Sequence, residues 1–458
     1  MARRDNFRVM NSYKRWRMSR PNFLEADLTP YNDEEIKLLR ITLAERGGKF
    51  EEWQLKALEH STFIDFSNIF IDVYLDFSNF IFPTNTYFTN SIMPKGMSLF
   101  GAIFCGEANF KGAKISGLHG IQTEFEDKAN FDNAHLLESS GFPNSIFHDT
   151  ASFDEVLFSK GARFNGTKFG RWTSFNRATF EGGSDFGRAT FDGGAFFEIS
   201  KFKDAIEFDN TTFSGWTVFD DALFEGESNF ANCKFLDWVR FDRSTFKDLD
   251  FTDAEFYSSS SFINAQLTSE TSFNKTIFKS EPPRFFGATI HESATWYDTS
   301  WPPPPKTKED AQMYVNAYMR LKLEMDRLRH HEDELNFFAL EMRARQKLYG
   351  IWRGLPIFLY ALFSDYGRSF LRPFFCLLFI LFGGAYFFWL SSSSAEDAIG
   401  LSFANTLGVL GLRSDFIAPD KIRSFSVILK ILGALQILGG AAMLLLFGLA
   451  LRNRLRMK

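Results

Sequence analysis

A glycine-bearing turn between two long apolar stretches holds the residues of this 458-residue sequence whose types and spacing could do chemistry. Glycine permits backbone dihedrals that align successive carbonyl oxygens, and aligned carbonyl oxygens can replace the water shell of a cation. The turn ends a short, mostly apolar segment that begins near Ser394 and Asp397, residue types that start helices. The residues of this candidate pore loop are Thr406, Leu407, Gly408, Val409 and Gly411.

A second candidate set lies in the last apolar stretch of the chain. Gly433, Gln436 and Gly440 are spaced by three and four residues, so they share one face of a helix. Small residues let helix backbones approach closely, and a buried glutamine can hydrogen-bond to a neighbouring helix. We predict that this face packs against another helix. The alternative is that it lines a pore, which would require at least three or four copies of the chain.

The segment 395–415 resembles the pore loop of two-transmembrane ion channels, in which a short helix precedes a glycine-bearing turn. Thr406 and Gly408 match the potassium-channel filter Thr-Val-Gly-Tyr-Gly, but the second glycine comes one position late and the aromatic residue is absent. The resemblance therefore does not extend to potassium selectivity. We favour a loop that rests on the outer leaflet or packs an oligomer, and keep conduction as the alternative.

Other kinds of chemistry find no support in the sequence. There is no Ser, His and Asp set on a recognisable scaffold, no phosphate-binding loop, and no disulfide or zinc spacing among three distant cysteines. The stretch 330–333 holds two histidines and two acids, but adjacent residues point about 100° apart on a helix, which is a poor metal geometry. We predict a non-enzymatic protein with no cofactor and no metal.

The elements that would position the loop are two membrane-spanning helices, at about 373–390 and 425–451, because each stretch is long and almost free of charge. Residues 351–363 are apolar but too short to span, and Trp352 suits an interfacial helix. Basic residues lie at the start of the first span and follow the end of the second. By the positive-inside rule, both chain ends then face the cytoplasm and the protein is placed in the plasma (inner) membrane. These basic residues are Arg368, Arg372, Arg452, Arg454, Arg456 and Lys458.

A repeat of eleven residues dominates the chain before the spans. Between Ala151 and Asp248, phenylalanine recurs in two columns that begin at Phe153 and Phe158, with spacings of five and six. No helix face can collect residues at this spacing, whereas a coil of 22 residues with four short sides places all of them inside. The pattern slips between Ile115 and Phe131 and loses one residue at Phe251. About ten coils are expected.

This pattern resembles the pentapeptide-repeat proteins, and the resemblance implies a right-handed quadrilateral β-helix. The predicted order is a basic N-terminal arm and helical cap (1–60), the β-helix (61–298), a Pro-rich linker and helical hairpin (299–350), and the membrane part (351–458). The fold class is therefore mainly β, followed by a helical hairpin and two transmembrane helices. The run from Ser364 to Ser369 is similar to the juxtamembrane stretch of membrane-bound members.

Charge is distributed unevenly along the chain. Residues 61–300 contain 33 acidic and 19 basic residues, whereas the rest of the chain carries a net charge of +9. Because the basic excess lies at the two ends of the chain, we expect a membrane lipid surface as a partner rather than nucleic acid. We expect a homo-oligomer that also binds a cytoplasmic protein. The predicted function is a membrane-anchored interaction or sensor scaffold; the alternative is an oligomeric ion channel whose pore loop, 395–415, is gated by the β-helix.

Overall fold

The computed structural model describes most of the chain as two compact units, which meet between Pro303 and Pro304 in sequence. The predictions for the arm and cap at 1–60, and for Val409 and Gly411, concern residues outside the described part. The described residues are 63–390 except 69, 73, 83 and 84, then 394–408 and 425–456.

The first unit is a four-sided β-solenoid of about ten turns, as the repeat predicted. Almost every side is a two-residue strand, and each strand pairs in parallel with the strand one coil further on. Within a two-residue strand, one side chain points inward and the other outward, because side chains alternate along a strand. The polar residues between the strands form the corners.

The strands of each face share one position in successive coils. The first face contains Phe63–Asp65, Asn85–Tyr87, Ala108–Asn109, Ala129–Asn130, Ala151–Ser152, Thr173–Ser174, Ala195–Phe196, Thr217–Val218, Val239–Arg240 and Ser260–Ser261. The second contains Ile92–Met93, Lys114–Ile115, His135–Leu136, Leu157–Phe158, Thr179–Phe180, Lys201–Phe202, Gln266–Leu267 and Thr289–Ile290.

The third and fourth faces follow the same rule. The third contains Leu75–Asp76, Met97–Ser98, Leu118–His119, Ser140–Gly141, Ala162–Arg163, Ser184–Asp185, Ile206–Glu207 and Thr271–Ser272. The fourth contains Ile81–Phe82, Ile103–Phe104, Glu124–Phe125, Ile146–Phe147, Lys168–Phe169, Thr190–Phe191, Thr212–Phe213, Lys234–Phe235, Glu255–Phe256 and Ile277–Phe278. Two longer strands run through a corner and belong to both the second and third faces: Leu223–Asn229 and Thr245–Asp250.

The strand register shows where the coils change length. Most coils have 22 residues, as in the pairing of Ala151 with Thr173. Met97 pairs with Leu118, which is a coil of 21 residues at the slip that the sequence indicated. A second shortening lies within Thr245–Asp250, where the register against the preceding coil shifts by one residue. The fold therefore absorbs single-residue deletions at corners and keeps the inward columns aligned.

The core consists of stacked phenylalanine rings. Phe153 lies between Phe131 and Phe175, with ring centroids 4.8 and 4.6 Å away and nearly parallel planes. It also meets Phe164 of the next column edge-on, at 5.3 Å. Offset-stacked and edge-to-face arrangements are the favourable geometries of aromatic pairs, so each ring gains both kinds of contact in addition to its burial.

Every second corner of the solenoid needs a residue with left-handed backbone. Asn, Asp and Gly hold many of these positions, for example Asn133 and Asn144 with φ of 57° and 54°. Ile199 holds one of them with φ of 60°. A β-branched side chain is strained in this conformation, so Ile199 is a local weak point of the solenoid.

Replacing Ile199 with asparagine is expected to stabilise the solenoid by about 1 kcal/mol, because asparagine tolerates the left-handed region. Ile121 provides the matched control, since it is similarly exposed at a corner but lacks a positive φ. The Ile121→Asn variant should show no gain. Denaturant titration of both variants against the parent protein measures the difference, and an equal response of the two would contradict the argument.

The second unit contains five helices within the described residues. They are α1 (Lys308–Leu328), α2 (His331–Ser364), α3 (Leu371–Trp389), α4 (Ala395–Thr406) and α5 (Val427–Arg456). The sequence predicted a hairpin helix and a separate interfacial helix around residue 350. In the structure the 34-residue segment α2 is broken at that point: its backbone leaves the helical region at Gly350, with φ of 71° and ψ of −171°, so α2 consists of two helices that meet at a kink.

Candidate functional site in the apolar helical unit

The candidate site lies between α3 and α5, which run antiparallel. The rings of Phe374 and Phe447 are 6.2 Å apart at one end of the pair, and those of Phe388 and Phe425 are 6.2 Å apart at the other. Both helices are long and apolar enough to span a membrane, with 19 and 30 residues. They form the walls against which the shorter α4 packs.

Helix α4 begins with a side-chain cap and buries one apolar face. The Ser394 hydroxyl accepts a hydrogen bond from the backbone N–H of Asp397, which satisfies a free donor at the helix start. Ala398 and Leu401 pack on Phe388 of α3, and Leu429 of α5 covers the same cluster. These contacts hold α4 beside both long helices and bring its last turn toward the middle of α5.

A cluster of polar side chains joins α4 to α5 at that point. The Gln436 amide nitrogen lies 2.6 Å from the Ser402 hydroxyl and 3.0 Å from the Thr406 hydroxyl. The Gln436 carbonyl oxygen accepts a hydrogen bond of 3.3 Å from Asn405. Ser402 in turn donates to the backbone oxygen of Leu381 in α3, at 2.6 Å. Because this environment is apolar, each satisfied hydrogen bond opposes separation of the three helices.

Glycine residues let the helices approach at the same level. A Cβ atom on Gly440 would lie 2.2 Å from the backbone oxygen of Thr406, and one on Gly384 would lie 2.3 Å from the Gln436 amide nitrogen. Gly433 is less crowded, since its Cβ would be 3.5 Å from the Asn405 amide nitrogen. Gly440 therefore permits a backbone approach that any side chain would prevent, and the absence of a side chain at Gly384 leaves room for the Gln436 amide.

The structure brings together residues that the sequence analysis treated as two separate sets. Thr406 of the predicted pore loop is the buried last residue of α4, and it contacts Gln436 and Gly440. Leu407 and Gly408 follow directly, and a Cβ on Gly408 would lie 3.2 Å from the Ile437 side chain. These contacts favour helix packing for the glycine and glutamine face. Whether this face also lines a pore stays a prediction.

Two members of the polar cluster were missed by the sequence analysis. Ser402 and Asn405 are fully buried, and with Thr406 they occupy positions i, i+3 and i+4 of α4. That spacing places three polar residues on one helix face, which is a signal of a polar contact within an apolar segment. The Asn405 side-chain oxygen has no hydrogen-bond partner among the described residues.

The basic ends of the long helices lie together. The Arg454 guanidinium is 4.8 Å from the ring centroid of Phe370, and Asn453 donates to the backbone oxygen of Gly367 at 3.3 Å. Between α2 and α3 the chain turns through left-handed residues that include Tyr366. Burial raises the pKa of the Tyr366 hydroxyl, and the nearby Arg343 guanidinium opposes that rise. Through the hydrogen bond from Asn453, this turn holds the start of α3 beside the end of α5.

The described residues do not include a group of three or more His, Cys, Asp or Glu side chains positioned to hold a metal ion. In the stretch 330–333, His331 contacts Glu334 and Arg456, both at 3.2 Å through the same ring nitrogen. These contacts place His331 in a small polar network on the helical unit.

Comparison with known families identifies the solenoid repeat. A family model described as pentapeptide repeats (9 copies) matches residues 121–168 and 208–255. No curated protein and no solved structure matches the chain significantly. The protein thus contains a pentapeptide-repeat β-solenoid domain followed by five helices, two of which are long and apolar.

Proposed function

We propose that this protein is a membrane-anchored β-solenoid scaffold, in which the helical unit spans the membrane and the solenoid binds a protein partner. The observation that carries the proposal is the exposure of apolar side chains on α3 and α5. Only 17% and 22% of their most apolar windows are buried, and Phe379 is 79% exposed. A core helix of a soluble protein would be mostly buried, whereas lipid would cover these side chains.

The arrangement of charge supports a cytoplasmic solenoid. The N-terminal end of α3 and the C-terminal end of α5 lie together, and both carry arginine, including Arg372 and Arg454. Positive residues are retained on the cytoplasmic side of bacterial inner membranes. We infer that this end faces the cytoplasm. Proteolysis of sealed, right-side-out vesicles should leave the solenoid intact, and cleavage of the solenoid from outside would contradict the topology.

The contacts of α4 support an anchor rather than a pore. The Gln436 amide is hydrogen-bonded to Ser402, Asn405 and Thr406 within one chain, so its polar groups are already satisfied. A pore-lining glutamine would instead direct its amide to water or ions. Helix α4 then serves as a re-entrant brace that fixes the angle between α3 and α5.

Exposed aromatic residues on the solenoid support an interaction role. The Trp172 ring is 63% exposed and meets Phe196 at 6.0 Å. Two coils further on, Trp216 stacks on Trp238 at 5.6 Å, and Arg240 lies 5.7 Å from the Trp238 ring. Tryptophan and arginine are the residues most enriched in the energetic centres of protein interfaces. We infer that this stripe is the part of the rod that meets a protein partner.

An oligomeric ion channel is the second candidate, and one observation favours it. A short buried helix, α4, lies between two span-length helices and ends in polar residues, with the Asn405 side-chain oxygen unpaired among the described residues. A buried carbonyl oxygen of this kind could face water or a cation in an assembly of several chains. The predicted pore loop, Thr406 to Gly411, would then form the constriction.

Ion flux through the purified full-length protein in liposomes tests the two candidates. The scaffold proposal predicts no flux above empty liposomes for several cations and anions, both with the solenoid present and after its removal to exclude autoinhibition. Flux that disappears when residues 395–415 are deleted would overturn the scaffold proposal and support the channel. A deletion variant that still inserts into liposomes is the necessary control.

A further inference from the structure

A cleft of about 780 Å³ in the helical unit combines basic and apolar walls. We propose that it binds an anionic phospholipid, with the phosphate among the lysines and an acyl chain along the apolar wall. This inference rests on the membrane location in the proposed function. The basic lining residues are Lys306, Lys308, Arg343 and Lys347, and the apolar ones include Ile351 and Phe358.

The charges of the cleft suit an anion. No acidic residue is among its lining residues, and the three lysines form no ion pair within the described part of the chain. Arg343 is held from behind, because its guanidinium lies 3.8 Å from the Asp365 carboxylate and 5.9 Å from the Tyr366 ring. A fixed arginine beside exposed lysines provides several donors to one phosphate group.

The apolar wall suits an acyl chain. Ile351 is 86% exposed, and Leu355 and Phe358 follow on the same segment with about half of their surfaces exposed. This segment leads directly to the turn before α3, so it lies next to the start of a span-length helix. A phospholipid carries its phosphate at one end and its acyl chains at the other. The cleft likewise has its lysines at one end and its apolar residues at the other. A soluble phosphate compound would leave the apolar wall uncovered.

The kink of α2 at Gly350 shapes the cleft. A Cβ atom on Gly350 would contact nothing within 4 Å, so glycine is needed there for its φ of +71° and not for space. Any other residue would favour a regular helix at this point. The kink separates the lysine-bearing part of the cleft from the apolar segment, and straightening it would remove the space between them.

Native mass spectrometry of the full-length protein in detergent tests the site, with dioleoylphosphatidylglycerol and dioleoylphosphatidylcholine as probes. The parent should retain phosphatidylglycerol preferentially. The triple variant K306Q/K308Q/K347Q should retain it at least about tenfold less, with phosphatidylcholine unaffected. The matched control K168Q/K201Q/K234Q removes three exposed solenoid lysines and should behave as the parent. Gly350→Ala should weaken retention without changing charge.

Three outcomes would overturn the inference. They are equal retention of both lipids by the parent, unchanged retention by the triple variant, and displacement of the lipid by an equal concentration of glycerophosphoglycerol. The last would show that a soluble phosphodiester suffices. Flotation with vesicles of pure phosphatidylcholine separates this test from the proposed function. If the protein floats but shows no lipid preference, only the proposed lipid site is rejected. If it does not float, the proposed membrane anchor is rejected as well.

Discussion

Replacing Phe175 with alanine is expected to destabilise the solenoid by about 3–5 kcal/mol. The Phe175 ring stacks between Phe153 and Phe197 at 4.6 and 5.0 Å, and it meets Phe164 and Phe186 edge-on at 5.3 Å. The cavity would be enclosed by these rings on both neighbouring coils. Two-residue strands hold each coil in place, so the backbone cannot collapse far enough to fill it.

A substitution series separates the loss of packing from a general loss of hydrophobic surface. Phe175→Leu should cost much less than alanine, about 1–2 kcal/mol, because leucine already occupies fully buried ladder positions at Leu136 and Leu267. Trp172→Ala, three residues away in the same coil, removes a larger but exposed ring and should change stability by less than about 1 kcal/mol. A larger loss for Trp172→Ala than for Phe175→Ala would contradict the ladder as the main source of stability.

The series is best measured by denaturant titration followed by circular dichroism of the full-length protein. In a solenoid each coil contacts only its neighbours. A weakened coil can therefore allow the coils before it and the coils after it to unfold separately. The Phe175→Ala variant should therefore show a broader unfolding transition or a second transition. The apparent m value, the dependence of the free energy of unfolding on denaturant concentration, should be lower than in the parent. A single transition of unchanged slope would indicate that the solenoid unfolds as one cooperative unit despite the cavity.

The solenoid was predictable because each inward position recurs in every coil. A repeated residue type at a fixed spacing reports the same environment many times, so single exceptions do not hide the pattern. Gly120 is such an exception within the predicted slip. It occupies a column position, and a Cβ there would lie 2.2 Å from the Phe142 ring. The Phe142 ring, one coil of 22 residues further on, fills the space that a side chain at Gly120 would need. Gly120 lies just after the deletion that shifts the register, so the pattern is interrupted only locally.

The corner strain and the polar cluster were less accessible to sequence analysis. Ile199 follows the repeat in position but not in residue type, so only the backbone shows that it is left-handed. The face of α5 with Gln436 was predicted to pack, but its spacing does not indicate which helix it meets. That contact joins Gln436 to Ser402, 34 residues earlier, and depends on how α4 lies between two long helices. Periodicity describes one element at a time, whereas the site depends on three.

Replacing Gly440 with alanine is expected to displace α4 from α5, at a cost of about 2 kcal/mol or more. The added Cβ would lie 2.2 Å from the backbone oxygen of Thr406 and 2.9 Å from its carbonyl carbon. A clash with backbone atoms cannot be relieved by a change of rotamer, so one helix must move. Movement would also break the hydrogen bonds from Gln436 to Thr406 and Ser402, which leaves polar groups unpaired in apolar surroundings.

Gly448→Ala is the matched control, because it lies in the same helix and a Cβ there would contact nothing within 4 Å. Labelling of a cysteine introduced at Ala404, which is 1% exposed, reports the position of α4. Maleimide should modify this cysteine slowly in the parent and in Gly448→Ala, but rapidly in Gly440→Ala. Equal protection in all three would show that α4 does not depend on the glycine contact.

In a scaffold the displacement of α4 leaves the liposome impermeable to ions, whereas in a channel it moves the residues next to the constriction. Flux measured on the same Gly440→Ala protein therefore connects this packing contact to the choice between the two functions.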